Sequence, residues 1–105
     1  CYKNIQGMAY KINWSEIALE DYNGIITYLI ISWSFSVASD FEDTVNKKLE
    51  NLSKRPFVGI KSDKNSSVRS ILFTPHNRLY YRITEQMIEL LTIIDTRQNP
   101  KQKPF

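Results

Sequence analysis

Past Pro56 the hydrophobic period of this chain changes, and that change constrains the fold more than any other feature. From Ala18 to Leu52 apolar residues recur every three or four positions; from Val68 they recur every two. Ala18, Tyr22, Ile25, Leu29 and Trp33 lie at spacings of four, three, four and four, one stripe of a helix running to about Trp33. Ala38, Phe41, Val45, Leu49 and Leu52 follow at three, four, four and three, the stripe of a second helix. Ser15 offers a hydroxyl to the free amides at the first helix start, where Glu16, Glu20 and Asp21 add negative charge. Ser34 and Ser36 are the cap candidates for the second helix. The Ser-Phe-Ser link leaves so little reach that the two helices fold back as an antiparallel hairpin, and Pro56 stops the second one.

Strand patterning frames this hairpin. In Ala9 to Trp14, Tyr10, Ile12 and Trp14 alternate with Lys11 and Asn13. Beyond Pro56, Phe57 to Ser67 reads as an exposed loop carrying Lys61 and Lys64. Then come Val68 to Thr74, a Pro75-His76-Asn77 turn, Arg78 to Thr84, a Glu85-Gln86 turn, and Met87 to Ile94, a three-stranded meander. The predicted fold is α+β, in the order β-α-α-β-β-β, with the helical hairpin packed on one face of an antiparallel sheet. Trp14 and Trp33 are assigned to the core. In the middle strand of the meander, Arg78, Tyr80 and Arg82 share the face opposite Leu79, Tyr81 and Ile83.

The 105 residues suit one domain, taken as residues 8–105, with residues 1–7 an upstream extension and a flexible polar tail after Asp95. The most apolar run, Ile25 to Trp33, is interrupted by Thr27 and Ser32 and is too short to span a bilayer. A single cysteine, Cys1, and a single histidine, His76, supply neither an internal disulfide nor a zinc ligand set, so no metal or cofactor is expected. The cysteine usage fits a cytoplasmic setting. Charge is unevenly distributed: residues 1–53 carry four Lys/Arg against seven Asp/Glu, and residues 54–105 carry ten against four. A basic C-terminal half favours a nucleic acid or an acidic protein segment as partner.

In this order the chain resembles the RelE/ParE toxin superfamily. The resemblance rests on Trp14, Ala18, Asp21, Ile25, Tyr28, Trp33, Ala38, Leu49, Leu52, Pro56 and Gly59. It extends through Val68-Arg69-Ser70-Ile71, Arg78-Leu79-Tyr80-Tyr81-Arg82-Ile83 and Ile94-Asp95-Thr96-Arg97. It implies the toxin of a type II toxin–antitoxin system, a plasmid stabilisation protein that inhibits bacterial growth until a cognate antitoxin neutralises it. The superfamily holds ribosome-dependent mRNA endonucleases, like RelE, and non-catalytic toxins that poison DNA gyrase, like ParE.

Metal-free RNA cleavage needs a base for the 2′-hydroxyl, cations for the developing phosphate charge and an acid for the leaving oxygen. The resemblance places Arg69, Arg78 and Arg97 at cationic positions of the nuclease branch and leaves Tyr80 as the nearest proton donor. Ile71 occupies the other basic place, and the tail from Gln98 to Phe105 holds no Tyr or His. The preferred reading is therefore ParE-like, with Arg69, Arg78, Arg82, Arg97, Lys61 and Lys64 as binding residues and gyrase as target. A RelE-like nuclease acting on mRNA at the ribosome, and a small nucleic-acid-binding module, are the alternatives. The charge map predicts an antitoxin segment that is acidic and apolar, folding onto the helices and the basic sheet face.

Overall fold

A computed structural model describes residues 10–96. In chain order the elements are β1 (Lys11–Trp14), α1 (Glu16–Ser32), α2 (Phe35–Lys54), a 3-10 turn (Pro56–Val58), β2 (Ile60–Lys61), β3 (Val68–Thr74), β4 (Asn77–Thr84) and β5 (Met87–Asp95). The α+β class and the hairpin on one face of the sheet are as the sequence predicts. The strands lie in the order β1-β5-β4-β3-β2. Pairings from β2 through β5 are antiparallel, whereas β1 runs parallel to β5, from Lys11 opposite Met87 to Trp14 opposite Leu90. The sheet is therefore mixed and not wholly antiparallel, because a period of two reports which face a residue takes and is silent on strand direction. Strand β2 lies in a stretch that reads as loop, being too short to show any alternation.

Both helices begin where serine supplies an acceptor: Ser15 Oγ accepts from the Ala18 amide and Ser34 Oγ from the Val37 amide, each at 3.1 Å. Ser15 also ties α1 to the sheet. Its amide donates to the Leu90 carbonyl and its hydroxyl to the Leu91 carbonyl, both at 3.1 Å. Leu91 is the extra residue of a bulge, since Tyr80 pairs with Thr92 and Tyr81 with Leu90. Beyond the bulge β1 has ended, and the β5 edge is taken over by Asp21. One oxygen of its carboxylate accepts from the Ile93 amide at 3.1 Å and the Thr92 hydroxyl at 2.6 Å.

The predicted stripe of α2 is buried throughout: Ala38, Phe41, Val45, Leu49 and Leu52. On α1, Ala18 is buried while Tyr22, Ile25 and Leu29 are half-buried against the same core. The sheet contributes Phe73, Leu79, Tyr81, Ile88, Leu90 and Ile93. Full burial of each large aliphatic side chain contributes about 1.5–3 kcal/mol. Trp14 packs on this core with its ring 5.2 Å from that of Tyr22. Trp33 does not, and its assignment to the core is corrected: it is 68% exposed. It caps the C-terminus of α1 with non-helical angles (φ −127°, ψ −87°), so the helical phase that predicts its burial has already ended.

Tyr81 joins the layers. Its side chain is fully buried on β4, and its hydroxyl donates to the Pro56 carbonyl at 2.8 Å while accepting from the Gly59 amide at 3.0 Å. The turn that brings the chain from α2 to the sheet is thus held by one phenol. Burial raises the Tyr81 pKa above its ordinary value, with the Gly59 amide and Arg69 acting in opposition. Gly59 has ordinary extended angles (φ −70°, ψ 159°), so its role is steric. A Cβ there would sit 2.2 Å from the Tyr81 hydroxyl and 2.9 Å from the Ser70 carbonyl oxygen.

Gly59→Ala is therefore expected to destabilise the fold by about 1–3 kcal/mol through overpacking alone. In urea the midpoint should fall at unchanged slope, and an unchanged midpoint would refute the close approach. Tyr81→Phe removes an acceptor and a donor from a buried site and should cost about 1–3 kcal/mol. It also carries a pH signature. Because the folded-state pKa lies above the unfolded value of 10.0, the unfolded chain ionises first. The contribution from Tyr81 is complete below that value and is lost as pH rises through the folded pKa. The stability gap between wild type and Tyr81→Phe should narrow in that alkaline range; a gap constant with pH would contradict the burial argument.

Candidate functional site

Strand register sorts the predicted site residues onto different faces. Arg69 is opposite Tyr81, and Tyr81 belongs to the core beneath the helices, so Arg69 lies on the helix side. There its guanidinium donates to the carbonyls of Gly59 at 2.9 Å and Phe57 at 3.3 Å, and sits 5.1 Å from the centre of the Phe57 ring. Arg69 thus supports the same turn that Tyr81 holds.

Arg78, Tyr80 and Arg82 occupy the second face, as alternation predicts, with Leu72, Ser70 and Val68 of β3 opposite them in that order. Arg78 donates to the Ser70 hydroxyl at 2.8 Å. Arg82 forms a salt bridge with Glu89 of β5, a surface pair with both partners partly exposed. Tyr80, between the arginines, is buried, as are Val68 and Ser70. The two arginine Cα atoms stand about 13 Å apart along the strand, at about 3.3 Å per residue.

Lys61, on β2, is opposite Arg69 and exposed. Lys64 lies in the loop between β2 and β3, where its amide donates to the Ser62 hydroxyl at 3.2 Å. His76 is exposed in the β3–β4 turn. Arg97 lies outside the described residues, as do the residue 1–7 extension and the tail from Gln98. The five predicted binding residues that are described therefore do not share one face: Arg69 and Lys61 meet at one corner, and Arg78 and Arg82 flank Tyr80 on the other face.

Two grooves were not foreseen from the sequence. One, of about 300 Å³, follows the β3 edge where β2 ends, between Lys48 and Leu52 of α2 and Arg78 of β4. Its apolar lip is Val58, Ile60 and Leu72, all exposed. The Phe57-Val58-Gly59-Ile60 run was the available signal, an apolar stretch inside a segment otherwise reading as loop. The other groove, of about 970 Å³, opens between the helical hairpin and the end of the sheet bearing the β3–β4 turn. Among the described residues no helix is long and apolar enough to cross a membrane, and no cluster of His, Cys, Asp and Glu is placed to hold a metal ion.

The sequence model of the ParE toxin of type II toxin–antitoxin systems matches residues 12–100. No curated protein matches the chain. Among solved structures, the chromosomal ParDE toxin–antitoxin system of P. aeruginosa is similar at 14% identity and a TM-score of 0.71, over 86% of this chain and 98% of that one. The YoeB/ParE toxin from Agrobacterium tumefaciens is similar at 17% identity and a TM-score of 0.60, over 81% of this chain and 96% of that one. A mutant of the E. coli toxin RelE in the free state gives 18% identity and a TM-score of 0.60, over 89% and 90%. These likenesses carry the fold, and the sequence match across nearly the whole domain carries the family: the chain belongs to the ParE toxins of type II toxin–antitoxin systems.

Proposed function

We propose that the chain is a ParE-like toxin that arrests growth in the bacterial cytoplasm by binding DNA gyrase without catalysing a reaction. One observation carries this reading. The β3 positions sharing a face with Arg78 are Val68, Ser70 and Leu72, none of them basic or able to serve as a base at neutral pH. Arg69, the cation that the nuclease reading needs on this strand, points to the other side and braces the Pro56–Gly59 turn. Arg82 is neutralised in part by Glu89. A scissile phosphate on this face would meet Arg78 and the Glu89-paired Arg82 but no basic residue of β3, whereas nuclease chemistry requires several converging groups. A protein or protein–DNA target is suited to this surface, since separate polar anchors beside exposed apolar residues serve recognition well.

The test is induced expression in bacteria of wild type, Arg78→Ala and Arg69→Ala, following growth, mRNA integrity and chromosomal breaks. Wild type should stop growth with intact mRNA and broken DNA. Arg78→Ala should weaken target binding by about tenfold or more, the scale of a lost charge-assisted contact of about 1.5–3 kcal/mol. Arg69→Ala should act through a lowered melting temperature. Ribosome-dependent mRNA cleavage by wild type would overturn this reading in favour of the nuclease, and binding to nucleic acid without arrest would favour the binding module.

A further inference from the structure

The tip of the helical hairpin, where α1 passes through Trp33 and Ser34 into α2, presents six large apolar side chains to solvent: Tyr28, Ile30, Ile31, Trp33, Phe35 and Val37. Ile31 and Phe35 are 79% and 75% exposed, and neither they nor Ile30 line either groove. The 18 residues from Tyr22 to Ser39 carry no charge, although 24% of the whole chain is charged. Charge is missing from the helix ends too: no basic residue lies in the last turn of α1 and no acidic one in the first turn of α2. At the tip the negative end of one helix dipole stands beside the positive end of the other, so their partial charges offset. What remains is apolar surface with the exposed hydroxyls of Ser32 and Ser36.

At about 150–250 Å² for each aromatic side chain, Tyr28, Trp33 and Phe35 leave roughly 300–500 Å² in water. The two isoleucines and Val37 raise the patch to roughly 600 Å², the upper end of what a monomer exposes. Two such patches face to face bury about 1,200 Å², the size at which specific interfaces begin. The chemistry of the tip selects among occupants. A nucleic acid or a charged peptide finds no ionic partner on it. The nearest charges in sequence, Asp21 on α1 and Asp40 on α2, are carboxylates, which repel an anionic lipid leaflet. A second copy of the chain meets neither obstacle, because an isologous contact sets one patch against its own twin and a patch without charge is complementary to itself. We infer that two copies of this chain associate through their hairpin tips, with Ile31, Trp33 and Phe35 of each at the centre and Asp21 and Asp40 outside the contact.

The test is sedimentation of the full chain over a range of concentrations. Wild type should pass from monomer to dimer across the micromolar range, as suits an interface of this size. The double variant Ile31→Lys, Phe35→Lys should raise the dissociation constant at least about hundredfold, because the twofold axis makes each substitution act twice in a desolvated centre. Mixing Phe35→Lys chains with Phe35→Glu chains should restore the dimer that each has lost alone, a gain that a misfolded chain cannot show. Since no ion pair crosses the contact, raising salt should leave the wild-type dimer intact or tighten it. A chain that stays monomeric throughout, a dimer indifferent to the lysine substitutions, a mixture that does not reassociate, or a dimer that salt dissolves would each overturn the inference. So would adsorption of wild type to phosphatidylcholine vesicles with no dimer in solution, which would make a lipid surface the occupant of the tip.

Discussion

The Tyr81 hydroxyl carries a constraint on which both layers of the molecule depend. The chain leaves α2 at Lys54 and must reach the sheet within a few residues, and it does so through a turn whose amide and carbonyl groups are turned inward. Buried backbone groups of this kind cost about 1–3 kcal/mol each when unsatisfied. One phenol answers two of them, at Pro56 and Gly59, and the Arg69 guanidinium donates to the carbonyls of Phe57 and Gly59. Only glycine leaves room for the phenol at position 59. The helix layer, the sheet and the short β2 are thus locked by three side-chain identities that lie far apart in sequence.

That locking engages a cation, because the Arg69 guanidinium is hydrogen-bonded to the turn. Arg69 and Ser70 are adjacent in the chain and on opposite faces of β3, as strand geometry demands. Arg69 shares its face with Tyr81 and the core, whereas Arg78 lies on the opposite face of the sheet. The second face inherits Val68, Ser70 and Leu72 instead, and its cations are reduced to Arg78, hydrogen-bonded to Ser70, and Arg82, paired with Glu89.

The legible parts of the sequence were those set by periodicity and capping. The α2 stripe, the Ser15 and Ser34 caps and the β4 alternation follow from spacing, and each stands where spacing puts it. Trp33 shows the limit, since a stripe extended one residue past the last helical residue predicts a burial that does not occur. The parallel β1 and the bulge at Leu91 depend on how separate elements meet, and neither leaves a mark in local alternation. The role of Asp21 was equally hidden: a carboxylate near a helix start reads as a dipole partner, yet here it completes the edge of β5.

The two grooves show why net charge is a poor guide to partners at this size. The basic C-terminal half of the sequence supplies four of the five strands and the carboxylate Asp95 at their end, while the acidic N-terminal half supplies β1 and brings Lys48 to the β3 edge. Folding therefore interleaves the halves, and the surface separates by groove: carboxylates around an apolar wedge between helices and sheet, cations beside an apolar strand edge. Screening limits charge recognition to roughly 8–10 Å under physiological salt, so each groove is read by a partner according to its own lining and not the whole-chain total. The two grooves are thus distinct surfaces of one small domain, with the turn at Pro56–Gly59 braced beside the β3 edge.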